Sequence, residues 1–207
     1  MPTRLLLARH GSIDWSGRIG ALEDGLSDLG RRQAMALGER LAHYEIAALY
    51  SSTLKRAVQT AEIISARTGL AIVSDPRLRE WDPGEWTGLT EDEVRVRDAA
   101  VWDAFTGAET EPDFVIPGAE TFAELRQRVV AVAREIATDQ PEGVILLVSH
   151  GCALGALIYH TLGLGFARGC EPFGLENCSL SIVEFAEERM SLVSLNDTCH
   201  LDGLRLS

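Results

Sequence analysis

Two short apolar runs in this chain each lead into a histidine that is followed by a glycine. Leu5–Ala8 leads into His10, and Val144–Val148 leads into His150. Short runs of this composition are typical of strands that are buried on both faces of a parallel sheet. If the two strands are parallel neighbours, His10 and His150 lie at the same rim of the sheet. In open α/β sheets this is the rim at which ligands bind.

The residues around the two histidines suit a phosphate dianion. Arg9 directly precedes His10. The helix predicted after His150 would direct the N–H groups of Gly151 and Cys152 at an anion. One imidazole can attack phosphorus while the other binds the charge that develops. The alternative is a solvated arginine beside a capping histidine, with the second histidine bonded to a backbone carbonyl in the core. The repeat of the His-Gly pattern favours a shared site.

Length and charge restrict the classes of protein to consider. The chain has 207 residues and a formal net charge of −12. From the length we expect one domain over residues 1–207. From the negative charge we expect a surface that repels nucleic acids and anionic membranes. We also expect no membrane span and no signal peptide, because no apolar run and no cleavage site support them. The cysteines are Cys152, Cys170, Cys178 and Cys199, and they form no Cys-x-x-Cys pair. This pattern favours a cytoplasmic protein with reduced thiols.

Apolar runs alternate with segments of helical periodicity along the chain. This alternation predicts an α/β fold with a largely parallel, mixed central sheet flanked by helices. Strands are expected at Leu5–Ala8, Ile46–Tyr50, Ala71–Val73 and Val144–Val148, with a closing hairpin of Leu180–Phe185 and Ser191–Leu195. Helices are expected from Ser27, over Thr53–Thr68, after the capping boxes that begin at Thr90 and Thr121, and over Cys152–Leu162.

A pair of cations opens the second predicted helix. Thr53 is the expected N-cap, which puts Lys55 and Arg56 in the first turn. The helix dipole disfavours cations there by about 0.3–1 kcal/mol, so an anion bound at this helix end would explain them. Arg56 can bind phosphate oxygens through two parallel N–H groups. A solvated helix face is the alternative explanation for the pair.

Two glutamates lie beside tryptophans in the irregular segment Pro76–Thr90. Glu80 precedes Trp81, and Glu85 precedes Trp86. Burial against an indole raises the pKa of a carboxyl group towards that of a useful general acid. Spacing alone does not choose between the two glutamates. The alternative is an acidic surface loop in which the tryptophans pack into the core, as we expect for at least one of them.

Motifs for other kinds of chemistry are missing from the sequence. There is no His-x-His or His-Glu-x-x-His spacing for a metal and no Walker sequence for a nucleotide. The segment 163–165 lacks the third glycine of a dinucleotide fingerprint. We therefore expect no metal and no cofactor.

Four segments, taken in order, resemble the histidine phosphatase superfamily in its phosphoglycerate mutase-like branch. They are ARHG, SSTLKRAVQTA, LREWDPGEWTG and VSHG. The resemblance runs from residue 4 to about residue 201, where the tail LNDTCHL also fits. It implies a three-layer α/β fold around a mixed central sheet.

The resemblance also implies roles for individual residues. His10 is then the nucleophile that becomes phosphohistidine. Glu80 matches the proton donor of the family, a choice over the second glutamate that comes from the resemblance and not from spacing. Arg9, Arg56 and His150 would hold the phosphoryl group together with His10, and His150 would also belong to the catalytic residues.

The chain departs from the family pattern in the loop Gly11–Gly25. Ile13 and Ser16 replace a hydroxyl residue and an asparagine that usually help to bind phosphate or substrate. Ser16 and Arg18 are the candidate substrate contacts of this loop. The chain also lacks room for the inserts that mutases of the family carry over the active site, which favours a phosphatase.

These features predict a metal-independent phosphatase that hydrolyses small phosphomonoesters through a phosphohistidine intermediate. A phosphoglycerate mutase is the alternative enzyme, and it would have to keep water away from phosphohistidine. A third alternative is a catalytically silent module that binds a phosphorylated ligand. The expected partner is a small phosphate ester, not a nucleic acid or a membrane. The sequence leaves the oligomeric state open, with a dimer as one option.

Overall fold

The computed structural model describes residues 2–21, 23–106, 115–164, 173–187 and 189–204, so Cys170 lies outside the described residues. Six strands are found in this part of the chain, each within a few residues of its predicted bounds. They are β1 (Thr3–Arg9), β2 (Ala48–Ser51), β3 (Ile72–Ser74), β4 (Val144–Ser149), β5 (Leu180–Ala186) and β6 (Arg189–Asp197). They form one mixed sheet in the order β3-β2-β4-β1-β5-β6.

The first and fourth strands are parallel neighbours at the centre of the sheet, as the sequence predicts. Leu5 lies opposite Ile145 and Arg9 opposite Ser149. β2 runs parallel to β4 on its other side, and β3 runs parallel to β2. β5 runs antiparallel to β1, and β6 antiparallel to β5. The carboxyl ends of β1, β2 and β4 therefore meet at one rim of the sheet.

Six α-helices connect or flank these strands in the described residues. They are α1 (Asp28–Leu41), α2 (Lys55–Thr68), α3 (Glu91–Arg97), α4 (Ala99–Thr106), α5 (Phe122–Asp139) and α6 (Gly151–Thr161). The sequence analysis does not predict α4, because a single residue, Asp98, separates it from α3 without a glycine or proline to mark a boundary. None of the described helices is both long and apolar enough to cross a membrane.

Alternation along β1 divides the core into two halves. Leu5 and Leu7 pack in a cluster with residues of α5 and α6, whereas Leu6 and Ala8 pack in a cluster with residues of α1 and α2. Successive side chains of a strand point to opposite faces, so a strand that is apolar at every position needs helices on both sides. The result is the predicted three-layer sandwich.

Most of the predicted helix starts are confirmed, and one is wrong. Ser27 caps α1 by accepting the N–H of Gly30, and both capping boxes are present. Thr53 is not the N-cap of α2, because that helix begins at Lys55 after Leu54. The N–H of Leu54 is bonded instead to the hydroxyl group of Ser52, which turns the chain just before the helix.

Candidate active site

The ends of β1 and β4 bring two histidines together at the rim. His10 follows β1, and His150 follows β4 and is the N-cap of α6. Their ring centroids lie 5.1 Å apart with the ring planes tilted by 57°. His10 is 5% exposed and His150 is fully buried. The two strand ends thus place both imidazoles beside each other, out of bulk water.

His10 is arranged as a neutral imidazole with its unprotonated nitrogen at Nε2. Its Nδ1 lies 2.8 Å from the carbonyl oxygen of Gly11, which can only accept, so Nδ1 carries the proton. Its Nε2 accepts a hydrogen bond of 3.2 Å from Nε of Arg56. Burial, followed by the positive charges of Arg56 and Arg9, lowers the pKa of His10 to about 3. His10 is therefore unprotonated on Nε2 at neutral pH, as a nucleophile must be.

Arg56 explains why cations open the second helix. It is the second residue of α2 and is largely buried, with Nη1 donating to the carbonyl oxygen of Ala21 at 2.9 Å. Burial lowers the pKa of its guanidinium group, while the negative charges of Glu80 and Asp24 act in the opposite direction. Lys55, its neighbour in the same turn, lines a separate surface cleft. Only Arg56 of the pair thus reaches His10.

Arg9 completes the cationic side of the site. Its Nη1 donates to the carbonyl oxygen of Leu175, and its side chain lines the same cleft as His10. The positive charges of Arg9 and Arg56 also lower the pKa of His150, after the larger effect of burial and that of His10. Two permanent cations therefore surround two neutral imidazoles, an arrangement that favours a dianion over a neutral ligand.

Glu80 occupies the N-terminus of α6, which is a correction to the sequence analysis. We expect from sequence that the N–H of Cys152 faces a phosphate, but it donates to Oε2 of Glu80 at 3.1 Å. Oε1 accepts from the N–H of Ala153 at 3.0 Å and from that of Trp81 at 3.0 Å. A side-chain carboxyl group on the same chain thus satisfies these N–H groups, which have no partner within the helix itself.

Burial distinguishes Glu80 from Glu85. It raises the pKa of the Glu80 carboxyl group, although the three N–H bonds and the charge of Arg56 act in the opposite direction. The side chain of Glu85 is 63% exposed and lies 3.8 Å from Nη2 of Arg97. A carboxyl group with a raised pKa, beside the two histidines, has the environment of a general acid. The geometry favours Glu80 for that role.

The two tryptophans of this segment, Trp81 and Trp86, also differ in their exposure. Trp81 lines the cleft and donates from Nε1 to the carbonyl oxygen of Glu120 at 2.6 Å. Trp86 is fully buried in a small cluster around Val94 and Trp102. One tryptophan therefore walls the site and the other packs in the core, as expected for at least one of them.

A cleft of about 370 Å³ opens in front of His10. Arg18 lines it, whereas Ser16 does not and instead donates to Oδ2 of Asp24 at 3.2 Å. Of the two candidate substrate contacts, only Arg18 thus faces the cleft. The lining also contains Arg9, Ser12, Ile13, Trp15, Ile19, Gly20, Ala21, Asp24, Arg56, Glu80, Trp81, Pro83, Cys152 and Asn177.

Among the described residues, no group of three or more His, Cys, Asp or Glu side chains is placed to hold a metal ion.

Asn177 and Ser52 are polar residues of the site that are not predicted from sequence. Asn177 lines the cleft and donates from Nδ2 to the carbonyl oxygen of His10 at 3.0 Å. Ser52, at the end of β2, lies with its Oγ 2.7 Å from Nε2 of His150. The rule that strand ends meet at one rim predicts a place there for Ser52, since β2 is parallel to β4. Asn177 precedes an antiparallel strand, so that rule does not find it.

Known proteins resemble this chain over nearly its whole length. Probable phosphoglycerate mutase GpmB of Yersinia pestis is 37% identical over 213 residues, covering 96% of this chain and 95% of that protein. Phosphoserine phosphatase 1 of Hydrogenobacter thermophilus is 30% identical over 201 residues, covering 96% and 94%. The solved structure of YhfR from Bacillus stearothermophilus superposes with a TM-score of 0.88 at 32% identity, covering 96% and 99%.

The family is decided by the match to a family model. The model described as histidine phosphatase superfamily (branch 1) matches residues 5–198, a range that contains all four segments on which the resemblance rests. The order of the segments, the three-layer fold and the family model agree. This chain belongs to the histidine phosphatase superfamily, branch 1.

Proposed function

We propose that this protein is a phosphatase that hydrolyses small phosphomonoesters through a phosphohistidine on His10. The observation that carries the proposal is the state of His10, which is neutral, with its Nε2 lone pair held by Arg56 at 3.2 Å inside a cationic cleft. An uncharged imidazole between two arginines is a nucleophile at a site that attracts a dianion. The partly buried Glu80, whose carboxyl pKa is raised, supplies the acid that the leaving group needs.

The first step transfers the phosphoryl group to the enzyme. Nε2 of His10 attacks phosphorus as the bond from phosphorus to the ester oxygen breaks, and Glu80 gives its proton to the departing oxygen. The N–H of Arg56 that binds Nε2 in the free protein turns to a phosphoryl oxygen. Arg9, Arg56 and His150 stabilise the charge on the equatorial oxygens. The products of this step are a free alcohol and phosphohistidine.

The second step returns the enzyme to its starting state. Glu80, now a carboxylate, takes a proton from a water molecule that attacks phosphorus in line with the bond to Nε2 of His10. That bond breaks and inorganic phosphate leaves. His10 is again neutral and Glu80 again carries its proton, so one acid alternates between donor and acceptor.

A mutase remains the second candidate, because the relative from Yersinia pestis carries the name of a probable phosphoglycerate mutase. The relative from Hydrogenobacter thermophilus is named as a phosphatase. The two reactions share the phosphohistidine and differ in what accepts its phosphoryl group. We favour water as the acceptor, as the name of the phosphatase relative suggests; chain length does not separate the two reactions, because the relative named a mutase aligns over 95% of its length.

Charge and cleft size suggest the class of substrate. The net charge of −12 repels a polyanion that approaches over a broad surface. A cleft of about 370 Å³ in front of His10 accommodates a small ester, and Trp81 lines both this cleft and a second cleft of about 760 Å³. We therefore propose a small phosphate ester as substrate and neither a nucleic acid nor a membrane as partner. A cytoplasmic location fits Cys178 and Cys199, which carry no disulfide.

A phosphate-release screen over metabolite phosphates tests the proposal. We expect stoichiometric release of inorganic phosphate and alcohol, with three-carbon and sugar phosphates used more efficiently than a phosphopeptide or a 5′-phosphorylated oligonucleotide. His10→Ala is the control for contaminating phosphatases. Accumulation of an isomer without phosphate would favour the mutase, and no turnover of any ester, nitrophenyl phosphate included, would favour a silent binding module.

A further inference from the structure

One ring nitrogen of His150 has a hydrogen-bond partner in the described residues, and the other has none. Its side chain is fully buried beside the ring of His10. Nε2 lies 2.7 Å from Oγ of Ser52. Nδ1 has no hydrogen-bond partner among the residues that the structure describes. A buried polar atom in this state costs free energy unless a ligand supplies the partner.

The hydrogen bonds of Ser52 decide which nitrogen of His150 carries the proton. A hydroxyl group has a single proton to donate. Oγ of Ser52 accepts the N–H of Leu54 at 3.2 Å. Within the described parts of the chain, the acceptor that the Ser52 hydroxyl reaches is Nε2 of His150. Donation to Nε2 leaves the one ring proton of neutral His150 on Nδ1.

The opposite tautomer satisfies fewer groups. With the proton on Nε2, His150 would donate to Ser52, and the hydroxyl proton of Ser52 would lack an acceptor in the described residues. Nδ1 would then present a lone pair beside the nucleophile, where it would repel a phosphoryl oxygen. In the Nδ1–H tautomer, the Nδ1–H of His150 is the one group without a partner in the described residues, and a phosphoryl oxygen can accept its hydrogen bond.

We propose that Ser52 is a positioning residue that holds His150 in the Nδ1–H tautomer and so keeps this N–H for an oxygen of the phosphoryl group. The proposal rests on the proposed function only for the identity of that oxygen. The tautomer is a property of the unliganded protein. Ser52 acts through His150 and does not itself contact the substrate.

Nitrogen-edited NMR of the histidine side chains measures the tautomer directly. We expect a protonated Nδ1 and an unprotonated Nε2 for His150 in the wild type, assigned by the loss of those signals in His150→Gln. Ser52→Ala should shift the ring towards the Nε2–H form. Ser51→Ala is the matched control, since Ser51 is equally buried but donates to the backbone oxygen of Ser52 at 2.9 Å. That control should leave the tautomer unchanged.

An Nε2–H form of His150 in the wild type would overturn the proposal, and so would a Ser52→Ala variant with an unchanged tautomer. The wild-type spectrum remains decisive even if Ser52→Ala fails to fold. Addition of inorganic phosphate should move the Nδ1–H resonance of His150, and an Nδ1–H that does not respond while phosphate binds would equally contradict the proposal.

Kinetics separate positioning from a structural role. Ser52→Ala should lower kcat/KM by about 10–100-fold, the range for loss of a group that orients a site histidine. In a His150→Gln background the same substitution should change kcat/KM by no more than about twofold, because there is no tautomer left to hold. Equal losses in both backgrounds would refute the positioning role. An inactive wild type with the expected tautomer would instead refute the proposed function alone.

Discussion

The rim of the sheet and the segment that covers it are built on different principles. The rim consists of Arg9, the last residue of β1, and of His10, Ser52 and His150, which directly follow β1, β2 and β4. Strands that are apolar on both faces can take one place only, at the centre of the sandwich, so their ends are positioned by the core. The covering segment, Pro76–Thr90, has two short 3₁₀ turns and no strand.

Distant side chains hold the covering segment in place. Arg128 of α5 donates to the carbonyl oxygens of Arg77 at 2.7 Å and Arg79 at 3.0 Å, and it forms an ion pair of 2.6 Å with Glu120. The N–H groups that begin α6 hold the carboxylate of Glu80. The rim thus supplies a nucleophile and charge from regular structure, whereas the acid depends on contacts between residues far apart in the chain.

The largest effect is expected for His10→Ala at the rim. Loss of the nitrogen proposed to attack phosphorus should lower kcat by about 10⁶-fold, the scale seen when a covalent nucleophile is removed. Labelled substrate with a rapid quench that avoids acid should trap an acid-labile phosphoenzyme in the wild type and not in the variant. Circular dichroism checks that the fold persists. Label that stays on the His10→Ala protein would show that another residue is the nucleophile.

Substitution of Glu80 tests the covering segment, with Glu85 as the matched control. General acid catalysis contributes about 10²–10⁴-fold, so Glu80→Gln should lower kcat/KM by that factor for an alkyl phosphate. Nitrophenyl phosphate should lose less, because its leaving group needs little protonation. Glu85→Gln should stay within about twofold of the wild type, since its exposed ion pair with Arg97 is worth little.

The pH profile gives an independent measurement of the same acid. Burial raises the pKa of Glu80, so the protonated form persists to a higher pH than in a solvated glutamate. The kcat/KM for an alkyl phosphate should fall as the pH rises through this pKa, because the acid is lost. Glu80→Gln should lack that fall. Equal losses of kcat/KM for the alkyl and nitrophenyl phosphates in Glu80→Gln would remove Glu80 from the role of acid, and a larger defect in Glu85→Gln would assign that role to Glu85.

The same contrast explains what can be predicted from sequence. Arg9, His10 and His150 could be placed at one rim because apolar runs identify buried strands and adjacent parallel strands end together. Glu80 could be chosen over Glu85 only through the family resemblance. Its position depends on the N–H group of Cys152 in α6, 72 residues away along the chain, and no local pattern encodes such a contact. The predicted N-cap of α2 is wrong for a local reason, since the hydroxyl group of Ser52 binds the N–H of Leu54 and the helix begins after Leu54 and not after Thr53.

An added methyl group on α1 should destabilise the protein more where the helix packs behind the rim than elsewhere on the same helix. A Cβ at Gly30 of α1 would lie 1.9 Å from the carbonyl oxygen of Ser12, which follows the nucleophile along the chain. Gly30→Ala should therefore destabilise the protein by about 1–3 kcal/mol through overpacking. A Cβ at Gly38 would meet the flexible side chain of Arg67 at 3.1 Å.

Gly38→Ala is the control, and denaturant unfolding of both variants is the measurement. Alanine stabilises a helix interior by up to about 1 kcal/mol relative to glycine, so Gly38→Ala should be neutral or mildly stabilising. Similar losses of stability at Gly30 and Gly38 would mean that the contact between α1 and Ser12 carries no special constraint. The comparison keeps helix and substitution type constant and changes only the neighbour of the new methyl group.

The smallest effect is expected for removal of metal ions. This experiment tests whether the rim supplies enough positive charge for phosphoryl transfer without a metal. Arg9 and Arg56 provide the positive charges that would stabilise a phosphoryl transition state, and the proposed Nδ1–H of His150 would add a neutral donor. Activity after extensive treatment with a chelator should therefore stay within about twofold of the untreated enzyme, because no positive group is removed. Arg56→Ala is the positive control, since loss of this cation should lower kcat/KM strongly whether or not a chelator is present. Loss of activity on chelation, with recovery after addition of a divalent ion, would show that the arginines do not suffice and that a cation completes the site.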